Sequence, residues 1–186
     1  NEEITIIEEY GSYSRYYGMP IFAKKIVFVI DASTSMEGGR LEAAKRELLQ
    51  VIKELPEDKQ FAVVAYNSRA WPWEQQLKPA NAAAKQAAAV FVLGLQPAGK
   101  TATFDALAAA LGYDTEAVYF LSDGVPTTGR ITDPADILKA IAKLNQGRYV
   151  SIYTIGIQAD AEGMGFVRFL EQLALQNAGQ FLQVSR

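Results

Sequence analysis

The sequence contains no cysteine and no histidine among its 186 residues. The absence of cysteine excludes disulfides, thiolate metal ligands and a cysteine nucleophile, and the absence of histidine excludes an imidazole base and a typical zinc site. A serine nucleophile is also disfavoured, because the chain has no G-x-S-x-G elbow and no histidine to activate the hydroxyl. Any metal site in this chain must therefore use oxygen ligands, and we expect a binding domain and not an enzyme.

The chain also lacks any block of like charge, and its net charge is -3. A nucleic-acid or anionic-membrane partner would require a clustered basic surface, so we expect neither nucleic acid nor a membrane as partner. No apolar run reaches the ~20 residues that a membrane helix needs. The start at Asn1-Glu2-Glu3 is neither an initiator methionine nor a signal peptide, so we expect a domain of a longer protein, in a compartment that the sequence leaves open.

Apolar segments of two kinds alternate along the chain. The continuous run from Ile26 to Ile30, followed by Asp31, is typical of a strand that is buried on both faces of a parallel sheet. Further strands are predicted at 61–66, 117–121, 150–157 and 181–184. Apolar residues at helical spacing, together with caps and prolines, predict helices at 41–55, 81–93, 103–111 and 166–176, and another that opens at Asp133-Pro134.

This alternation predicts an α/β fold, doubly wound, with a mostly parallel central sheet and helices on both faces. The inward faces of the last two helices are predicted to carry Ile137, Ile141 and Leu144, and then Val167, Leu170 and Leu173. Residues 1–22 are interpreted as an N-terminal extension, with an edge strand at 4–7 and a surface loop at 12–18, and residues 23–186 as the domain. Ligands of such sheets bind beyond the carboxyl ends of the strands.

The loop after the first central strand is rich in oxygen donors. Asp31-Ala32-Ser33-Thr34-Ser35 offers one carboxylate and two hydroxyls within five residues. Magnesium prefers oxygen ligands, keeps several waters and is usually held by one or two carboxylates, so this loop could supply part of a magnesium site. Taken alone, the loop is better explained as an ordinary turn in which Asp and Ser bond the local backbone.

Three motifs in order make the metal interpretation more specific: D-x-S-x-S after an apolar strand, a later G-x-T, and a later strand that ends in S-D-G. Together they resemble the metal-ion-dependent adhesion site of von Willebrand factor A-like domains, with a Rossmann-like fold. The resemblance runs from about residue 22 to the end, and its strands are especially similar to those of bacterial members.

The resemblance implies that Asp31, Ser33, Ser35, Thr101 and Asp123 bind the ion, directly or through water. The cation would be Mg²⁺, with Mn²⁺ and Ca²⁺ as competitors. The remaining position would accept an Asp or Glu carboxylate from a protein or peptide partner, for adhesion or complex assembly. The oligomeric state is not predicted.

Two positions depart from the family pattern, because Thr34 and Lys100 stand where the family often has glycine. We expect Thr34 to have little effect. Lys100 would place an ammonium near the dication and weaken its binding unless the side chain points outward or helps to hold an anionic ligand.

A second motif overlaps the first, because Gly94 to Thr101 matches the G-x-x-x-x-G-K-[ST] pattern of a phosphate-binding loop. In that alternative the backbone amides would hold phosphates, Lys100 would reach the terminal ones, and Asp123 would be the second metal acid. The preceding segment is predicted to be a helix and not the strand that such a loop requires. Nucleotide binding therefore stays the alternative, beside a structural domain without metal.

Two loops are predicted to form the rim of the site and to determine its specificity. Their candidate anchors are Asn67, Ser68, Arg69, Trp71 and Trp73 in one loop and Thr127, Thr128 and Arg130 in the other, because tryptophan and arginine are frequent interface anchors. The two tryptophans could equally pack on the edge of their own domain.

Overall fold

The structure is a computed structural model, which describes residues 13–157 and 164–184. A short antiparallel pair, β1 (Arg15–Tyr16) and β2 (Met19–Pro20), precedes the central sheet. The sheet contains β3 (Lys25–Asp31), β4 (Gln60–Tyr66), β5 (Ala70–Pro72), β6 (Lys78–Pro79), β7 (Ala117–Ser122), β8 (Ser151–Ile157) and β9 (Phe181–Val184). The helices are α1 (Arg40–Glu54), α2 (Ala82–Leu93), α3 (Thr103–Leu111), α4 (Pro134–Asn145) and α5 (Met164–Gln176).

Strand β3 lies at the centre of the sheet, between β4 on one side and β7 on the other. Both pairings are parallel, and β8 and β9 continue the parallel part of the sheet beyond β7. The short strands β5 and β6 are antiparallel to β4. The predicted fold class, doubly wound and mostly parallel, is confirmed. The strand order reverses at β3, which is the point where such folds bind ligands.

Residues of β3 alternate between the two faces of the sheet, as the two-residue period of a strand requires. Ile26, Phe28 and Ile30 join one core with α1 and α2, whereas Val27 and Val29 join a second core with α3, α4 and α5. All five side chains are buried. The prediction that the continuous apolar run is a strand buried on both faces of the sheet is therefore confirmed.

The predicted helix starts are confirmed at two caps. The Asn81 side chain accepts a hydrogen bond from the amide of Ala84, and Asp133 accepts one from the amide of Asp136, with a proline in the first turn of α4. These bonds satisfy amides that the first turn of a helix leaves without an intrahelical acceptor. Local chemistry thus defines where α2 and α4 begin.

The predicted inward faces of α4 and α5 are partly wrong. Leu144 is 43% exposed, and the last inward position of α4 belongs to Asn145, whose side chain donates to Val150 O and Asn177 Oδ1 at 2.8 Å. In α5 Val167 is only half-buried, and Phe169 is buried instead. Helical spacing identified the period of both helices but could not anticipate a buried amide that binds backbone and side chain.

The N-terminal segment is more buried than the predicted surface loop. Tyr16 is 1% exposed, and its ring lies edge-on against Phe28 and Tyr119 in the first core. The predicted edge strand at 4–7 lies outside the described residues, and the boundary at 22/23 stays a prediction. Among the described helices, none combines the length and apolarity needed to cross a membrane.

A buried hydroxyl offers a test of the packing. Thr103 Oγ1 has no hydrogen-bond partner within the described part of the chain, whereas Thr154 Oγ1 donates to Leu170 O at 2.9 Å. We expect Thr103→Val to raise the free energy of unfolding by about 1 kcal/mol, because it removes an unsatisfied polar atom, and Thr154→Val to lower it by a similar amount. Urea unfolding of both variants measures this difference. Destabilisation by both would mean that Thr103 has a partner after all.

Candidate metal-ion site

The residues of the predicted site lie at or near the carboxyl ends of three neighbouring parallel strands. Strand β3 ends at Asp31, which pairs in register with Tyr66 at the end of β4, and Ile30 pairs with Leu121 just before the end of β7. The carboxyl ends of these strands are therefore adjacent. Their following loops meet at the point where the strand order reverses.

The Asp31 carboxylate is fully buried and held by three donors. Its Oδ1 accepts from the amide of Ser33 at 2.8 Å, and its Oδ2 accepts from Ser122 Oγ at 2.8 Å and from the hydroxyl of Tyr66 at 3.1 Å. Burial raises the pKa of Asp31 to about 6, and the hydrogen bonds from Ser33 oppose that rise only in part. The carboxylate is thus fixed in position but costly to ionise without a nearby cation.

The two serines connect Asp31 to the second acid. Ser33 Oγ lies 2.9 Å from Ser35 Oγ, and Ser35 Oγ donates to Asp123 Oδ1 at 2.6 Å. Four of the five predicted site residues therefore form one continuous hydrogen-bonded chain.

Thr101 joins the same group of loops through its backbone. Its amide donates to Thr127 Oγ1 at 3.0 Å, and its carbonyl accepts from the amide of Thr127 at 3.0 Å. The preceding loop is bonded to the D-x-S-x-S loop, because the Thr34 amide donates to Gly99 O at 3.0 Å. Thr101 itself is buried. Loops that are remote in sequence are thereby held together.

A cation that the sequence interpretation missed lies beside Asp123. Arg40 Nη1 is 3.5 Å from Asp123 Oδ2 and donates to Ser35 O at 2.6 Å. Arg40 is the first residue of α1 and follows Gly38 and Gly39, both at positive φ, so the chain can turn back sharply there. One signal could have identified it, because a positive charge at a helix N-terminus is unfavourable and suggests an acidic neighbour.

Lys100 is not the cation of the site. Its side chain is exposed, and across the described ranges 13–157 and 164–184 it forms no ion pair with an acid. Its amide donates to Ser68 Oγ at 2.9 Å. The weakening of metal binding by Lys100 stays a prediction, and the cation observed beside Asp123 is Arg40.

The donor set suits a hard cation that keeps part of its water shell. It comprises two carboxylates and the hydroxyls of Ser33 and Ser35, all of them oxygen. Burial also raises the pKa of Asp123, whose side chain is 1% exposed, so both acids are held in a site that disfavours uncompensated negative charge. The part of the chain that the structure describes has no cluster of three or more acidic, histidine or cysteine side chains that could hold a metal. An all-carboxylate cage is therefore absent there, and the set fits magnesium.

The overlapping phosphate-loop motif lacks the structure that its chemistry requires. Helix α2, and not a strand, leads into it, as predicted. Its amides are already used within the protein: Ala98 donates to Ala32 O, Lys100 to Ser68 Oγ and Thr101 to Thr127 Oγ1. A phosphate loop binds its ligand through free amides, so this arrangement disfavours nucleotide binding.

The tryptophans of the predicted rim pack on their own domain. Trp73 stacks on Phe61 with ring centroids 5.4 Å apart, and Trp71 lies in β5 opposite Ala65. Both are partly buried against the first core. Of the two interpretations that the sequence left open, the packing one is supported.

Comparison with known proteins gives a consistent family. The family model for the von Willebrand factor type A domain matches residues 25–185. Inter-alpha-trypsin inhibitor heavy chain H4 of Homo sapiens is 30% identical over 187 residues, which cover 92% of this chain and 20% of that protein. Heavy chain H1 of Mesocricetus auratus is 33% identical over 170 residues, or 84% and 18% of the two chains. The chain spans about a fifth of the length of these relatives.

Solved structures share the fold. A von Willebrand factor type A protein from Catenulispora acidiphila superposes with a TM-score of 0.74 and 26% identity, over 86% of this chain and 38% of that one. Proximal thread matrix protein 1 from the mussel byssus, in a structure described as having a zinc-occupied MIDAS motif, gives a TM-score of 0.64 and 24% identity over 85% of this chain and 40% of that one. The latter likeness concerns the fold alone.

The buried acid predicts how stability depends on pH. The pKa of Asp31 is raised in the folded protein from 3.8 to about 6, so its contribution favours folding below pH 3.8 and is lost as pH rises through about 6. In EDTA we expect the wild type to lose roughly 3 kcal/mol of unfolding free energy relative to Asp31→Asn over this interval. Urea unfolding at a series of pH values gives the difference. A wild-type to variant difference that does not change with pH would contradict the burial of this charge.

Proposed function

Because the chain belongs to the von Willebrand factor type A domain family, we propose that it binds one divalent cation and uses it to hold a carboxylate of a protein or peptide partner. Mg²⁺ is the proposed ion, with Mn²⁺ and Ca²⁺ as competitors for oxygen ligands. The ligands would be Asp31, Ser33, Ser35, Thr101 and Asp123. The observation that carries this proposal is a set of oxygen atoms suited to bind a hard cation. Hydrogen bonds hold two buried carboxylates and two serine hydroxyls together in this set.

The carboxylates and the hydroxyls of the site would have distinct roles. Asp31 already accepts three hydrogen bonds, which orient it and suit it to hold the ion either directly or through a water. The hydroxyls of Ser33 and Ser35 retain lone pairs for the ion when their protons are donated to other acceptors. The bound cation would supply a fixed positive charge that attracts an Asp or Glu carboxylate.

Binding is favoured over catalysis by the surroundings of the hydroxyls. The serines of the site are bonded to each other and to Asp123, and neither has an imidazole partner, since the chain has no histidine. Recognition of this type would serve adhesion or the assembly of a complex. The activities of the heavy chains and of the mussel matrix protein are not transferred, but the description of the latter is a reason to include Zn²⁺ in the titrations. Similarity to bacterial members likewise stays a prediction.

Metal binding tests the proposal directly. We expect isothermal titration of the metal-free protein with Mg²⁺ to give saturable heat, and Asp123→Asn to weaken binding at least tenfold because a ligand charge is lost. Asp114→Asn is the matched control: Asp114 pairs with Lys25 at the beginning of β3, the opposite edge of the sheet from Asp31. Equal loss in both variants would mean that the effect is not local to the site.

The nucleotide alternative predicts a different pattern in the same experiment. If the loop from Gly94 to Thr101 were the functional centre, Mg²⁺-ATP would bind saturably, Asp31→Ala would retain that binding and Lys100→Ala would abolish it. On our proposal Lys100→Ala leaves Mg²⁺ binding intact or improves it. Saturable ATP binding that survives Asp31→Ala would overturn the proposal, and the absence of any effect of a divalent ion would leave a structural domain without metal.

Arg40 should compete with the metal for Asp123. Its guanidinium lies 3.5 Å from Asp123 Oδ2, where it compensates charge that a dication would otherwise compensate. We expect Arg40→Gln to tighten Mg²⁺ binding by about threefold to tenfold, an effect of a partly exposed cation. Arg46→Gln, an exposed change further along α1, is the control and should leave the affinity unchanged. Weaker Mg²⁺ binding by Arg40→Gln would show that the arginine organises the site instead of competing with the ion.

A further inference from the structure

A second surface feature lies beside the candidate metal site. A groove of about 980 Å³ runs between α3 and α4 and reaches the loop after β4. We call it the basic groove and define it by six lining residues: Arg69, Phe104, Ala108, Arg130, Lys143 and Leu144. Nothing in the proposed metal chemistry uses these side chains.

The charge of the groove has the opposite sign to that of the chain. Three cations line it, whereas Asp105 is its one lining acid and already accepts from the side chain and the amide of Arg130. In the portion of the chain described here, neither Arg69 nor Lys143 takes part in an ion pair. The net charge of the whole chain is -3, so this is a local excess of positive charge. Such an excess favours an anionic ligand.

Part of the groove lining is apolar, and we call this part the apolar floor. It is formed by Phe104, by Ala108 and by Leu144, which is 43% exposed although α4 was predicted to bury it. The Arg130 guanidinium lies 4.9 Å from the centroid of the Phe104 ring, a cation–π distance that helps to hold it at the rim. A ligand for this surface would gain from carrying apolar groups between its acidic ones.

Hydrogen bonds join the loops at the groove to the loops of the metal site. Ser68, at one end of the groove, accepts a hydrogen bond from the amide of Lys100, the neighbour of Thr101. The carbonyl of Asn67 accepts from the amide of Ala102 at 2.8 Å. The other rim, at Arg130, lies in the loop that begins at Asp123. A ligand on the metal could therefore extend into the groove.

We propose that the basic groove binds an acidic and apolar peptide segment that flanks the carboxylate held by the metal. The inference rests on the proposed function and names the class of partner: a protein segment in which one Asp or Glu faces the ion and neighbouring acidic and apolar side chains occupy the groove. A sulfated polysaccharide would match the cations, but it would leave the apolar floor unused. The combination of the two surfaces therefore selects a peptide.

The experiment uses short fluorescein-labelled peptides with one central aspartate and flanks of Glu-Leu, Glu-Ser or Lys-Leu repeats. Fluorescence anisotropy measures their binding with Mg²⁺ and with EDTA. We expect the Glu-Leu peptide to bind most tightly and its affinity to fall with added salt. In the double variant Arg69→Glu, Lys143→Glu we expect about tenfold weaker binding of this peptide, because two rim charges are reversed.

A matched control separates the groove from the general charge of the protein. Arg46→Glu, Lys53→Glu reverses one arginine and one lysine at exposed positions of α1, away from the groove. This control should leave peptide affinity within twofold of the wild type. Equal weakening in both double variants, or no preference among the three flanks, would overturn the inference.

Failure of the groove and failure of the metal site have different signatures. A Glu-Leu peptide with a central asparagine tests the groove alone, because it offers no central carboxylate to the metal. Its residual binding should not depend on Mg²⁺ and should weaken in the double variant Arg69→Glu, Lys143→Glu. Saturable Mg²⁺ heat without any flank preference would overturn the groove inference and leave the proposed function intact. If Mg²⁺ gives no heat but the asparagine peptide still binds to the groove, the proposed function is overturned and the groove remains a peptide-binding surface. The choice of a peptide would be overturned if heparin bound more tightly than every peptide and if the groove variant lost this heparin binding.

Discussion

The buried carboxylate of Asp31 is the constraint on which the arrangement of the site depends. It is fully buried at the end of the central strand, and the cost of that burial is reduced because Ser33, Tyr66 and Ser122 donate to it. These three donors come from the loop after β3 and from the ends of β4 and β7. Satisfying one acid therefore holds the ends of three strands and the first loop in a single geometry.

The same constraint makes the site responsive to a cation. Hydrogen bonds from neutral donors orient a carboxylate, but they do not neutralise its charge, and burial raises the pKa of both Asp31 and Asp123. Arg40 supplies one positive charge, at 3.5 Å from the second acid. A divalent ion between the acids would compensate charge that the protein leaves only partly balanced.

Most of the fold could be predicted because local patterns and global packing agree. The β-branched run at 26–30 is buried on both faces, and Asp133 caps a helix where its side chain indicated. Four of the five candidate ligands could be grouped from sequence, because motifs at the carboxyl ends of adjacent parallel strands meet in space. Arg40 escaped this reasoning, since its approach to Asp123 depends on a turn at two glycines and not on a spacing within a motif.

One error of the sequence interpretation occurred where a polar group replaced an apolar one. Asn145 took the inward position expected for Leu144 because it can bond Val150 and Asn177, and this exchange exposes Leu144 on the groove side of α4. A buried amide that stabilises the junction of α4, β8 and α5 thus has a consequence at the surface. It frees an apolar side chain, next to cations that the same helix and its neighbouring loops provide. The apolar and basic characters of the groove consequently arise from the packing of the second core, and hydrogen bonds join the loops after β4 and β7 to the loop that carries Thr101.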